Sequence, residues 1–295
     1  MNEISFNNGT KIVFKNNKNQ SRLKPLSGNP TYLGDFMERP DYYSIKLPSN
    51  SSLKNFLDYS PKKAFYLYKE RIKETQAVIF GRAIHKAVYE KKDFDEEFTV
   101  LPEDINLRTK AGREERDALM ASGKTILKAE HYELCQNVYR SLWDSPIASK
   151  FLRGQREKEY FGEIDGLKIK AKVDIINVSK SFIGDLKTTQ DAHPDVFTRE
   201  CIKRKYFMQG WLYRELASQN GDHVKHFVFT AVEKEPPFSR SVLIMEDEQF
   251  EIGKAQALTA IARFKYAEKN QGEDYDKNIE RFDLPNWYVN QWLGE

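Results

Sequence analysis

The stretch "REKEYFGEIDGLKIKAKVDIINVSKSFIGDLKTT", Arg156 to Thr189, decides how the chain is to be read. Polar and apolar residues alternate along it with a period of two, as in strands that turn one face to a core. Asp165-Gly166 and Ser179-Lys180 interrupt the alternation as turn signals, which predicts a three-stranded antiparallel meander. A two-residue turn at Ser179-Lys180 pairs Val178 with Ser181, and a four-residue turn on the same centre keeps that register. Asp174 then faces Asp185, and Lys172 faces Lys187. A two-residue turn at Asp165-Gly166 sets Glu157 opposite Asp174, with Glu159 and Glu163 further along the same face. Cross-strand partners have β-carbons roughly 4.5–5.5 Å apart, and like charges so placed repel. A divalent cation between the acids would relieve that repulsion, because hard cations take carboxylate oxygens and keep several waters. Failing a cation, Lys168, Lys170 and Lys172 would neutralise an ordinary solvated face.

Around this stretch lies a chain of 295 residues, 40% hydrophobic and 31% charged. That suits one large α/β domain or two modest ones, and argues against wholesale disorder. No run of apolar residues is long enough to span a membrane. The start, "MNEISFNNGTKIVF", has no basic segment followed by an apolar one, so no secretory signal is expected. Two distant cysteines, Cys135 and Cys201, suit a reducing cytoplasm and leave no cysteine-ligated zinc or four-cysteine iron–sulfur site within the chain. A net charge of +3 does not identify a polyanion partner, so any nucleic-acid footprint must be local.

Residues 1–50 are polar, with a small hairpin expected in "ISFNNGTKIVF" and irregular structure after it. A single domain is expected over 51–295: a helical half to 154, a sheet with helices over 155–270, and a tail over 271–295. Serine-capped helical spacing begins near Leu53, and "TQAVIFGRAIHKAVYEKK" forms a helix with Gly81 and His85 on one face. "FTVLPEDINLRTKAG" reads as a loop, with helices near 112–122 and 126–142 and a short one in "WDSPIASKFLRG". After the meander, "VFTRECIKRKYFMQGWLYRELASQNG" reads as one long helix ending at an Asn-Gly left-handed cap. "HVKHFVFTAVEKEPP" is a strand, and "EDEQFEIGKAQALTAIARFKYAEKN" is a helix. The expected fold class is α/β, a central mixed sheet with an antiparallel meander flanked by helices. The tail "NWYVNQWLGE" is expected to dock on the chain's own core or on a neighbouring subunit.

The order "GRAIH", the acid in "KEY", "KAKVD", "GDLKTT" and "QGWLY" resembles the PD-(D/E)XK nuclease superfamily in its RecB-like branch. "SSLKNFLDYSPKKAFY", "FGRAIHKAVYE", "LPEDINLRTKAG" and "DLKTTQDAHPDVFTRECIKRKYFMQGWLY" resemble the exodeoxyribonuclease VIII (RecE-like) exonucleases of phages and prophages. The resemblance implies a PD-(D/E)XK core. It also implies a Mg²⁺-dependent exonuclease, with Mn²⁺ able to substitute, that degrades double-stranded DNA ends 5′ to 3′. By the same resemblance, His85, Asp174, Asp185 and the Leu186 carbonyl would be metal ligands, and Lys187 would orient the water or stabilise the transition state. Family spacing makes Glu159 the upstream acid, while the hairpin register also admits Glu157 and Glu163. Gln209 and Tyr213 would border the site, and Arg108, Lys110, Lys203, Arg204 and Tyr206 would contact DNA. The implied partners are a RecT-like single-strand annealing recombinase and further copies of the chain in a trimeric or tetrameric ring. The implied setting is the cytoplasm, that of the host if the chain is phage-encoded. A restriction-like or structure-specific endonuclease on the same fold, and a non-catalytic DNA-binding module, are the rival readings.

Overall fold

A computed structural model of the chain describes residues 2–5, 11–14, 41–70, 76–100, 105–106, 108–272 and 281–293. At the start, β1 (Asn2–Ser5) pairs antiparallel with β2 (Lys11–Phe14), so the expected hairpin forms, although its Asn-Gly turn lies outside the described residues. The serine-capped segment divides into α1 (Asn50–Asp58) and α2 (Pro61–Lys69). Ser60 caps the second helix by accepting from the Lys63 N–H, and Pro61 takes the first helical position, where no N–H is needed. Next come α3 (Gln76–Tyr89), α4 (Lys91–Glu97), β3 (Phe98–Val100), α5 (Lys110–Ala121), β4 (Thr125–Leu127), α6 (Ala129–Trp143) and α7 (Ala148–Phe151). β3 and β4 pair in parallel, which corrects the loop expected at "FTV": these short apolar strands find each other across α5 and have no alternation of their own to reveal them.

The meander forms in the expected register where its strands pair, but the second hairpin's ladder stops before the expected Asp174–Asp185 and Lys172–Lys187 pairs. β5 (Gln155–Ile164) and β6 (Leu167–Asn177) join through Asp165 at φ +48° and Gly166 at φ +70°, the two left-handed residues a tight hairpin turn requires. β7 (Phe182–Thr189) follows a single 3-10 turn at 178–180, with Asn177 opposite Phe182 and Ile175 opposite Gly184. The long helix expected next is two helices, α8 (Pro194–Arg204) and α9 (Tyr206–Gln219). Lys205 breaks them at φ +57°, its N–H closing α8 on the Cys201 and Ile202 carbonyls while its ammonium pairs with Asp58 of α1. α9 ends as expected, with Gly221 left-handed at φ +85°. β8 (His226–Glu233) then runs parallel to β7, and β9 (Arg240–Ile244), which the sequence did not announce, pairs antiparallel with β8. The sheet order is β5-β6-β7-β8-β9, followed by α10 (Asp247–Lys269) and α11 (Asn286–Leu293).

Helices cover both faces of this sheet. On one face, Leu53 and Phe56 of α1, Leu212 and Leu216 of α9, and Ile261 and Phe264 of α10 pack with Tyr160, Val173 and Phe229. On the other, Ile84 and Val88 of α3, Phe94 of α4, and Val138 and Leu142 of α6 pack with Ile175, Leu186 and Val228. The segment expected as one helical half is therefore split, α1 and α2 on one face and α3, α4, α6 and α7 on the other. Of the two expected docking sites for α11, the chain's own core is not the one used, since Trp287 and Trp292 are each 68% exposed. Among the described residues, no helix is long and apolar enough to cross a membrane.

α9 and α10 meet at an unusually short separation. A β-carbon on Gly253 would lie 2.1 Å from the Phe207 carbonyl oxygen, a backbone atom with no room to retreat. Gly253→Ala is expected to destabilise the protein by about 1–3 kcal/mol, through forced separation of the two helices. Denaturant unfolding checks it, and an unchanged midpoint would show that α9 and α10 are not seated this closely.

Candidate metal and nuclease site

β6 and β7 pair only from Asn177–Phe182 to Ile175–Gly184 and then part, while β7 remains paired to β8 along its whole length. Asp174 and Asp185 sit where the strands separate. In place of a neighbouring strand, the Asp174 Oδ2 accepts the Leu186 N–H at 3.0 Å. β6 also changes faces here: Ile169, Ala171 and Val173 belong to one core, Ile175 to the other. Opposite Asp174, Glu157 interrupts the β5–β6 ladder at φ +48°, a conformation that costs a non-glycine residue roughly 1–2 kcal/mol. Backbone strain of this kind concentrates at functional sites.

His85 of α3, Glu157 of β5 and Asp174 of β6 each offer one ligand atom, all within 4.8 Å of one another. His85 Nδ1 stands 3.5 Å from Asp174 Oδ2. Burial, then the nearby Asp185 charge, pushes the Asp174 carboxyl up to about 6, against the opposing pull of His85, Lys187 and the Leu186 N–H. An imidazole and two carboxylates, one of them desolvated and resisting ionisation, form a donor set that a divalent cation would stabilise. The residues present therefore fit such an ion.

Glu159, the acid indicated by family spacing, is not in this cluster. It pairs with Lys172 across the ladder and its side chain is exposed. Glu163 is likewise exposed, opposite Lys168. The left-handed turn of the chain at Glu157 separates that acid from its neighbours, which a straight-strand reading cannot anticipate. Lys172 instead forms an ion pair with Glu157 at 2.7 Å.

Asp185, only 2% exposed, also lies outside the three-residue cluster. Its Oδ1 accepts from Gln209 Nε2 at 2.6 Å. Its Oδ2 stands 2.6 Å from Lys187 Nζ. Burial works against the Lys187 ammonium, but the Asp185 and Asp174 carboxylates outweigh it and hold its pKa above the ordinary lysine value. The Lys187 ammonium also rests 4.6 Å above the Tyr206 ring, which stacks on Phe229. Tyr213 lies one turn beyond Gln209, and burial raises its hydroxyl well above the usual value. Leu186 meets the site through its amide, while its side chain packs in the second core.

Beside these groups opens a cleft of about 440 Å³, lined by Tyr43, Lys54, Lys172, Lys187, Arg204 and Gln209 among others. Lys54 has its pKa lowered, first by burial and then by Arg204, Lys205 and Lys187, with Asp58 opposing. Cations crowded in this way favour an anionic occupant. Arg204 also lines a second depression of about 400 Å³ with Arg199, Lys203 and Lys234, so the two basic surfaces adjoin. Arg108 and Lys110 line neither. Both are exposed at the start of α5, where Lys110 stands 3.7 Å from Glu114. Sequence reasoning missed Tyr42 and Tyr43 because the polar stretch that leads into α1 has no periodicity, and missed Lys54 because nothing local to α1 shows that it faces the cleft.

No curated protein matches the chain. Among solved structures, a protein of Eubacterium rectale assigned as an exonuclease superposes with a TM-score of 0.59 at 16% identity, covering 89% of this chain and all of that one. A phage-related exonuclease of Haemophilus somnus aligns over 77% of this chain and 96% of its own, at 14% identity and a TM-score of 0.34. The first likeness speaks for the fold, which is the five-stranded mixed sheet described above. The family described as a PDDEXK-like domain of unknown function, DUF3799, matches residues 49–278, which contain α1 to α10, every strand of the five-stranded sheet and the acid cluster. The chain belongs to this PDDEXK-like DUF3799 family.

Proposed function

We propose that the protein is a Mg²⁺-dependent exonuclease, with Mn²⁺ able to substitute, that degrades double-stranded DNA from its ends in the 5′ to 3′ direction. The observation that carries the reading is the clustering of His85, Glu157 and Asp174 beside the Lys187 ammonium, at the edge of a cation-lined cleft. A lipid, a sugar or a peptide has no need of that many cations around an acid-based cation site, whereas a phosphodiester backbone has. The preference for duplex ends and the polarity rest on the resemblance carried by "FGRAIHKAVYE" and "GDLKTTQDAHPDVFTRE". The 3′ strands left behind would pass to a single-strand annealing recombinase of the RecT-like kind, and a ring of three or four copies is the expected assembly.

Asp174, Glu157 and His85 would hold the divalent ion, with Asp185 and the Leu186 carbonyl as the further ligands the resemblance implies. The ion, when bound, supplies Lewis-acid stabilisation of the phosphate. Lys187 serves as a charged donor and not as a base, because its carboxylate neighbours keep it protonated. Its ammonium can donate to a phosphate oxygen or hold the attacking water, and stabilise charge as the bond breaks. Asp185 holds the ammonium by charge at 2.6 Å, and Gln209 fixes that carboxylate by donating to its other oxygen. Lys54, Lys172 and Arg204 line the path of the neighbouring phosphates.

Glu157→Gln is expected to lower the cleavage rate by at least about a hundredfold, whereas Glu159→Gln should stay within severalfold of wild type, in steady-state assays on linear duplex. Equal losses in the two variants would contradict the assignment of Glu157. The broader reading is tested with linear duplexes labelled at the 5′ or the 3′ end, beside a covalently closed circle, in Mg²⁺ or in EDTA. Mg²⁺-dependent release of the 5′ label is expected, with the circle intact and all cleavage lost in Asp185→Ala. Cutting of the circle would point to an endonuclease, and no cleavage of any substrate would point to a binding module.

A further inference from the structure

Where β6 parts from β7, the chain leading into α1 fills the space. The Lys170 N–H donates to the Pro48 carbonyl at 3.0 Å, so this edge of β6 is partnered by residues just before the first helix. The Lys170 side chain is only 8% exposed, and its ammonium donates to the Tyr42 and Ile45 carbonyls, both at 2.7 Å. It also lies 4.3 Å from the Tyr42 ring, and burial lowers its pKa. A buried lysine whose ammonium donates to both ends of one short turn has a specific effect: it fixes that turn, residues 42–44, against the sheet.

The residue displayed by this arrangement is Tyr43. Tyr42 is buried, with its ring near Phe161, and supports Tyr43 edge-on at 5.3 Å. Tyr43 itself is 70% exposed and lines the basic cleft. The Lys172 ammonium lies 5.3 Å from the Tyr43 ring and 2.7 Å from a Glu157 oxygen, so a single side chain separates this ring from the acid cluster. An exposed tyrosine alone needs no explanation. One held in place by a buried cation, beside a cation-lined cleft and one residue removed from the candidate metal ligands, has the features of a stacking surface for single-stranded nucleic acid.

We propose that Tyr43 is a nucleobase-binding site, on which an unpaired base stacks while the phosphates of the same strand lie along Lys54, Lys172 and Arg204. The inference rests on the nucleic-acid reading of the cleft and adds to it a base subsite that a phosphate-binding site alone would not need. Stacking of this kind tolerates any base, because every base has a π face.

The test uses the full chain in EDTA and low salt, so that nothing is cleaved. The probe is a single-stranded oligonucleotide with a terminal fluorescein for anisotropy and 2-aminopurine placed at successive positions. The wild type is expected to bind and to quench 2-aminopurine at one position. Tyr43→Trp should preserve the quenching, while Tyr43→Ala should lose it and bind about tenfold more weakly. Quenching in Tyr43→Ala equal to that in wild type would overturn the base site and leave the nuclease reading standing. No anisotropy change with any single-stranded or duplex oligonucleotide would overturn the nucleic-acid reading itself, and the base site with it.

Discussion

The parting of β6 from β7 just before Asp174 is the constraint on which the site depends. A continuous ladder would have placed Asp174 and Asp185 side by side with every backbone group satisfied by the sheet. Because the strands separate, the Leu186 N–H needs another acceptor, and the Asp174 carboxylate provides it. That one contact holds an acid at a fixed place in the gap. The gap in turn admits α3 from one face, carrying His85, and α9 from the other, carrying Gln209. The segment before α1 fills the remainder through Lys170.

The groups so gathered would not stay together unaided. Glu157 occupies a left-handed backbone conformation, and Asp174 resists ionisation because it is buried near Asp185. Asp185 is stabilised locally by Lys187 and Gln209, which divides the acids into two functional halves. One half, with His85, is suited to a cation. The other fixes an ammonium beside it. The core on both sheet faces supplies the free energy that offsets these local penalties, as expected when strain is concentrated at a working site.

Much of this geometry could be read from the chain. Alternation and two turn signals gave the meander in its correct register, including Glu157 opposite Asp174, because a one-residue slip would have exposed Ile169, Ala171 and Val173. The choice between Glu157 and Glu159 was beyond that reasoning, since strand parity treats them alike and only the left-handed residue at 157 separates them. The break between α8 and α9 was hidden for a similar reason: Lys205 is an ordinary helix former, and its pairing with Asp58 becomes visible only once α1 is in place. Strands β3 and β4, three residues each, are too short to show a period. The turn that carries Tyr43 depends on a lysine more than a hundred residues away, a contact no local pattern encodes.

The most direct test of the central claim is the anomalous scattering of Mn²⁺ in crystals of the protein. The account predicts one strong peak in contact with Asp174, Glu157 and His85 together, at the separation of β6 from β7. A peak elsewhere, or well-ordered side chains at that place with no peak at saturating Mn²⁺, would contradict it.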